Sequence, residues 1–215
     1  MRHTLTIPLF PLNTVLFPGA VIPLQIFEAR YLAMIQDCLS ANSKFGVVLI
    51  KEGSEVGNPA IPHSVGTIAK IISAQEIAKN RLLITVRGER RFKIRKILGN
   101  RPYINAEIDI ESVNKKDNIP QNEIERFCAK TTRHINLVLN KKGEWIKAPK
   151  LPSSPNMLSY FIAQTLSIDS FERQRLLSEP SHQKQLEICK EHMDRETNAI
   201  IEKISLDLVK AFRHH

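Results

Sequence analysis

No charged residue stands between Thr4 and Phe27. By hydropathy alone that run would pass for a membrane span or a secretory signal. Pro8, Pro11, Pro18 and Pro23 argue against both. Each removes a backbone donor, and no single helix holds four prolines in such a span. A signal peptide also needs an unbroken apolar core and a small-residue cleavage site, and the run has neither. Two short strands separated by a turn fit better. Leu5, Ile7 and Leu9 alternate, Pro18-Gly19 turns the chain, and Val21 to Leu24 runs back. The prolines place these strands at edges or ends of a sheet.

A helix is expected next. Phe27, Tyr31, Met34, Ile35, Cys38 and Leu39 recur at three-to-four spacing and share one face. Glu28 is expected in its first turn, where a negative charge suits the helix dipole. Phe45–Ile50 is a short apolar run that reads as a buried strand. Glu52–Ser64, with Gly53, Gly57, Pro59 and Pro62, reads as a loop, and Gly66–Ser73 as a loosely alternating strand. Asn80 marks a turn. Leu82, Ile84 and Val86 share a face, and Phe92 and Ile94 keep that parity beyond Gly88. This reads as strand, tight turn at Gly88, and second strand. Tyr103–Val113 alternates again.

From Pro120 the period changes to 3.6. Ile124, Phe127, Cys128, Thr131, Ile135 and Val138 form one stripe. Gly143–Ser154, with Trp145, Pro149 and Pro152, reads as a linker. Ser154-Pro155 is a serine cap with proline at the first helical position. The helix it opens buries Met157, Leu158, Phe161, Ile162 and Leu166. Ser170 is expected to cap a short helix ending near Ser178, and Ser181 a last one running to His215. Its stripe is Leu186, Cys189, Met193, Thr197, Ile200, Ile204, Leu208 and Phe212. Strands first and helices second imply an α+β chain. The expected boundary lies near Lys115–Asn118, giving a β-rich part over 1–117 and a helical part over 118–215.

The opening P-L-F-P-L-N-T-V-L-F-P-G, then P-L-Q-I-F-E-A-R-Y, closely resembles the start of the N-terminal, substrate-binding domain of Lon protease. F-G-V-V-L-I at Phe45–Ile50, V-G-T-I-A-K-I at Val65–Ile71 and L-L-I-T-V-R-G-E-R-R-F-K-I at Leu82–Ile94 follow in the family's order. A weaker match, Q-R-L-L-S-E-P before a long helix, extends the resemblance nearly to the end. Asn80 departs from the glycine that relatives carry at that turn. The resemblance implies a partly open β-barrel of the PUA-like type (the fold of pseudouridine synthase and archaeosine transglycosylase domains) carrying one helix. A helical bundle ending in a long helix would follow. It also implies a role in recognising polypeptides and in assembly. The protease's ATPase and peptidase modules have no counterpart in these residues, so the expectation is a binding domain standing alone.

The residues themselves carry little that suggests catalysis. None of the eight glycines starts a phosphate-cradling G-x-x-x-x-G-K-[ST] loop, and H-E-x-x-H and G-x-S-x-G are missing. No nucleotide, cofactor or metal is expected. Cys189 and His192 are the nearest thing to a metal pair, but zinc needs at least three protein ligands. His63 stands alone in its loop. Three cysteines, Cys38, Cys128 and Cys189, are too few and too odd in number for a disulfide framework. They read as buried thiols in a reducing compartment, with a cytoplasmic location and no membrane.

The net charge is +9. Residues 1–118 hold 16 Lys and Arg against 10 Asp and Glu, and the rest 15 against 12. The densest run is Arg81 to Arg101. Arg91, Lys93 and Arg95 are expected on the solvent side of the hairpin, opposite Phe92 and Ile94, with Arg87 and Arg90 beside them. That face reads as a solvated edge guarded by charge, or alternatively as an anion or nucleic-acid contact, although aromatic interleaving is poor. The Phe17-Pro18-Gly19 turn is apolar where turns are usually polar. It is expected at the surface, where it would join Glu28 and Arg30 as a polypeptide-docking patch. The sequence therefore points to a non-catalytic module that binds unfolded or hydrophobic polypeptide, or a partner protein, through apolar burial and hydrogen bonds along a sheet edge. A nucleic-acid-binding protein using the basic hairpin is the alternative.

Overall fold

The computed structural model describes residues 4–55, 57, 60–99, 102–111, 119–141 and 149–213, and side chains to residue 139 in the helix that ends at 141 and to residue 206 in the last helix. The boundary at Lys115–Asn118, Arg101, Pro59, Trp145, His214 and His215 lie outside the described residues. So do the side chains of Leu208 and Phe212.

The elements run β1 (Thr4–Leu12), β2 (Val21–Ile26), α1 (Ala29–Ser40), β3 (Phe45–Glu52), β4 (Ile61–Ala78), β5 (Arg81–Gly99) and β6 (Ile104–Ile110). Then follow α2 (Gln121–Lys141), α3 (Pro155–Thr165), α4 (Ser170–Ser178) and α5 (His182–Arg213). The chain is α+β and divides into two compact units. One is Met1–Val113 with Asp169–Ser178; the other is Asn114–Ile168 with Glu179–His215. Compactness thus groups α4 with the strands, which a single split between 117 and 118 does not anticipate.

In the first unit β1 pairs β3 in parallel. The β3–β4, β4–β5, β5–β6 and β6–β1 pairs are all antiparallel, so five strands close into a ring. β2 hangs on the first half of β5, over Leu82–Arg87. The ring is filled by Ile7, Leu9, Val48, Ile68, Phe92, Ile104, Ala106 and Ile108. The Phe92 ring fits because Gly46 and Gly66 carry no side chain. A Cβ at either would stand within 3 Å of its tip.

The prolines of β1 do not make it an edge strand. Its first half pairs β6 over Thr4–Leu9 and its second half pairs β3 over Leu9–Leu12. Each half is therefore open on one side, and Pro8 and Pro11 each have a side where no partner needs a donor. β1 and β2 do not pair with each other, so the run back from Pro18-Gly19 is not a hairpin.

Gly88 is not a turn either. β5 continues through it for 19 residues, with a one-residue shift of its register against β4 between Gly88 and Arg91. Gly88 instead makes room for a close approach. Gly19 N donates to Gly88 O at 2.8 Å, and Gly88 N donates to Ala20 O at 2.9 Å. A Cβ on Gly88 would lie 2.3 Å from the Phe17 carbonyl oxygen. The tight turn is at Asn80, in the left-handed region with φ 60°. β4 starts at Ile61, so the expected loop to Ser64 is shorter by the strand's first four residues.

The helices follow their caps. Ser154 Oγ accepts from Met157 N, with Pro155 at the first helical position. Ser181 Oγ accepts from Lys184 N. For α4 the cap is Asp169, whose Oδ1 accepts from Glu172 N at 2.8 Å, and Ser170 instead donates to Asn13 O. In the second unit α2, α3 and α5 bury Ile124, Phe127, Ile135, Leu158, Ile162, Leu166, Leu186, Cys189, Met193 and Ile200. Met157 and Phe161 are only partly covered. Ile204 is 45% exposed, so among the described side chains Ile200 is the last buried member of the α5 stripe. Ser159, His182 and Gln185 form a buried polar knot: Ser159 Oγ lies 3.0 Å from His182 Nδ1 and donates to Gln185 Oε1 at 2.7 Å. Ser159 is fully buried, so the knot ties α3 to α5 rather than facing a substrate. No helix is long and apolar enough to cross a membrane among the described residues.

Candidate functional site

The apolar tip expected at Phe17-Pro18 is core. Phe17 is 1% exposed and Pro18 is buried, because the turn folds onto Gly88 and leaves only Gly19 in solvent. The exposed aromatic lies ten residues on. Phe27 was expected on the buried face of α1, yet it precedes the helix and is 50% exposed. Glu28 is the N-cap residue of α1, with extended backbone and no capping bond from its side chain, and does not belong to the first turn. That carboxylate turns to Arg30 Nη2 at 3.0 Å and accepts from Gly57 N at 3.3 Å. The Arg30 guanidinium also lies over the Tyr31 ring, 4.6 Å from its centroid.

Beside Phe27 the first unit holds an open groove of about 270 Å³. Its floor is Phe10, Leu12, Ile26 and Tyr31, all buried side chains. Pro23, Leu24, Gln25 and Phe27 make one wall, and Glu28 and Glu55 stand in the lining too. Phe10 and Tyr31 pack with ring centroids 4.4 Å apart. Burial pushes the Tyr31 phenol up; Arg30 pulls it down, and Glu28 and Glu55 push it up further. Glu55 Oε2 accepts from Asn13 Nδ2 at 3.1 Å.

β2 flanks this groove and pairs only with β5 among the described residues. Since Ala20 O accepts from Gly88 N, the two-residue period turns Ile22 and Leu24 toward β5. Val21, Pro23 and Gln25 then turn their backbone groups outward. Pro23 supplies no donor there, so it interrupts any ladder along this edge. On the outer face of the strand Val21 is 50% exposed.

The basic run of β5 does not form one cationic face. Arg91 is 7% exposed, ion-paired through Nε to Glu111, and donates from Nη1 to Leu177 O at 2.9 Å. Its expected solvent position is wrong because the β5 register shifts by one residue between Gly88 and Arg91, which breaks the simple alternation, and because the Leu177 carbonyl of α4 meets it there. Arg87, Arg90, Lys93 and Arg95 are exposed. Lys93 stands opposite Asp109 and Lys96 opposite Glu107 in the β5–β6 register, an arrangement of opposite charges that supports strand pairing. Arg90 donates to Glu111 O and Arg95 to Thr4 Oγ1.

Cys189 is buried and its thiol pushed up to about 12 by that burial, while His192 lies 3.3 Å from Arg195 Nη2. Among the described residues no group of three or more His, Cys, Asp or Glu is arranged to hold a metal ion.

The model of the ATP-dependent protease La (LON) substrate-binding domain matches residues 6–195. The chain belongs to the Lon substrate-binding domain family. The Lon protease of Flavobacterium johnsoniae is 28% identical over 187 residues, which is 80% of this chain and 22% of that protein. The Lon protease of Anaeromyxobacter dehalogenans is 26% identical over 201 residues, 88% of this chain and 23% of that protein. The chain thus spans under a quarter of these curated relatives. Among solved structures, the Lon N-terminal domain protein from Xanthomonas campestris superposes with a TM-score of 0.65 at 26% identity, over 85% of this chain and 95% of that one. The N-terminal domain of the Mycobacterium avium complex Lon protease shares the fold, with a TM-score of 0.63 at 18% identity, over 88% and 98%. The stretch that lines the groove, Phe10 to Tyr31, falls inside the matched Lon domain. Reading the sequence by period missed Phe27 and Glu55. The available signal for Phe27 was its place just before a charged pair, Glu28 and Arg30, that ends the apolar run.

Proposed function

We propose that this Lon-family domain is a polypeptide-binding module without catalytic machinery of its own, and that it takes exposed apolar segments of unfolded chains into the groove beside β2. The observation that carries the reading is Phe27. A half-exposed aromatic stands at the mouth of an open groove whose floor is already apolar and buried. An unfolded segment laid there would remove Phe27 and its own side chains from water, at about 25 cal/mol for each Å² covered. Glu28 and Arg30 keep their place in the proposal as the charged end of the groove, and Phe17 and Pro18 become its scaffold. The edge of β2 contributes less, since Pro23 breaks the ladder.

Capture of reduced, carbamidomethylated lysozyme by the full chain tests this. Phe27→Ser should weaken capture with the melting temperature nearly unchanged. Phe17→Ser should melt early, because that ring is core. Capture by Phe27→Ser equal to the parent would overturn the assignment. A salt titration separates this mode from nucleic-acid binding through the exposed cations of β5, which would weaken linearly on a log–log plot.

A further inference from the structure

The groove's charged lining is one-sided, although the chain as a whole carries net charge +9. Glu28 and Glu55 are the charged residues that line it. Arg30, the neighbouring cation, is already committed to Glu28 and to the Tyr31 ring. Glu55 differs from Glu28 in that its carboxylate meets the neutral amide of Asn13 and no cation among the described residues. The Glu55 carboxylate therefore stands beside an apolar trough with no cation of the described residues against it.

We propose that the groove selects polypeptide segments in which an apolar side chain is flanked by lysine or arginine, the apolar side chain entering over Phe10, Leu12 and Tyr31 and the cation pairing with Glu55. This rests on the proposed polypeptide-binding reading and adds its specificity. The volume, about 270 Å³, admits one large side chain rather than a folded element. The occupant is thus an extended segment, and the residues next to its buried side chain must pass the carboxylates. A lysine or arginine there gains attraction to Glu55; an aspartate or glutamate meets a like charge. Apolar burial would supply affinity, while charge decides which segments stay.

Fluorescein-labelled peptides of one length, each with a central phenylalanine, test the idea by anisotropy against the full chain at low salt. One carries lysine on both sides of the phenylalanine, one serine and one aspartate. The lysine peptide should bind about two- to fivefold tighter than the aspartate peptide, the range expected of partly exposed charge pairs. The preference should shrink with added salt. It should vanish in Glu55→Gln and reverse in Glu55→Lys. Equal binding of the three peptides, or a preference that survives in Glu55→Gln, would overturn the proposal while unfolded lysozyme could still be captured. Loss of capture by Phe27→Ser without any charge preference would support the groove and refute its selectivity. If no peptide binds and Phe27→Ser captures lysozyme as the parent does, both readings fail together.

Discussion

Arg91 on β5 donates from Nη1 to the carbonyl oxygen of Leu177 on α4, 2.9 Å away and 86 residues later in the chain. Its Nε is held at the same time by Glu111. One buried side chain thus links the barrel wall, the end of β6 and the last turn of a short helix. Gln174 adds a second tie, donating from Nε2 to Val65 O at 3.0 Å.

Removing this guanidinium should therefore cost stability rather than ligand affinity. Hydrogen bonds to charged groups contribute about 1.5–3 kcal/mol each to stability when they are removed singly. Arg91→Ala is expected to lower the unfolding free energy by at least that amount in urea titration, while Arg87→Ala, an exposed position on the same strand, should stay within about 0.5 kcal/mol. Equal effects from the two would mean that Arg91 is not locked as described.

The final helix gives a second contrast. Met193 is fully buried and Ile204 is 45% exposed. Met193→Ala should destabilise by about 2–5 kcal/mol, the range for truncating a large core side chain. Ile204→Ala should change little. Thermal melts of the two variants decide it, and a large cost at Ile204 would show that its side chain is covered in solution.

A third expectation concerns acid. His134 on α2 is buried, with Nδ1 3.1 Å from Thr197 Oγ1 and Nε2 3.2 Å from Glu196 Oε2. Burial holds its pKa below the usual value, and Glu196 offsets this only in part. Below the ordinary histidine range, about 6.5, the unfolded chain binds a proton that the folded one resists. Stability carried by this site is then present above that pH and is lost as pH falls through it. Urea titrations between pH 7 and pH 5 should show a shallower decline in His134→Gln than in the parent. An identical slope would assign the acid sensitivity to other groups.

What could be read from residue order was whatever depends on neighbours in sequence. The alternation of β6, the left-handed Asn80 and the Ser154-Pro155 cap are local, and each stands where its pattern put it. Gly88 was misread because a glycine inside one long strand and a glycine at a turn look alike in sequence, and the Phe17 carbonyl it makes room for is 71 positions away. The tip at Phe17 was expected outside for the same reason. Nothing near it in sequence announces the stretch of β5 that covers it. Phe27 fell on the helical period by coincidence, one residue before the cap. The resemblance to Lon pointed to the right segment, but burial alone separated its scaffold from its exposed ring. Glu55 sits in a loop with no period to read, and only the folded chain brings it to the groove.

The place of α4 has a consequence for synthesis. The six strands are complete once Ile110 has been made, but the helix that receives Arg91 begins at Ser170, about 60 residues later. At ~5–20 residues per second, a nascent chain spends roughly 3–12 s with its barrel formed and that guanidinium still without the Leu177 carbonyl. During this interval Val65 O and the wall around it also lack the cover of Gln174. The newborn barrel should be looser than the finished one, and it becomes fully closed only when a segment from the far half of the message arrives to seal it.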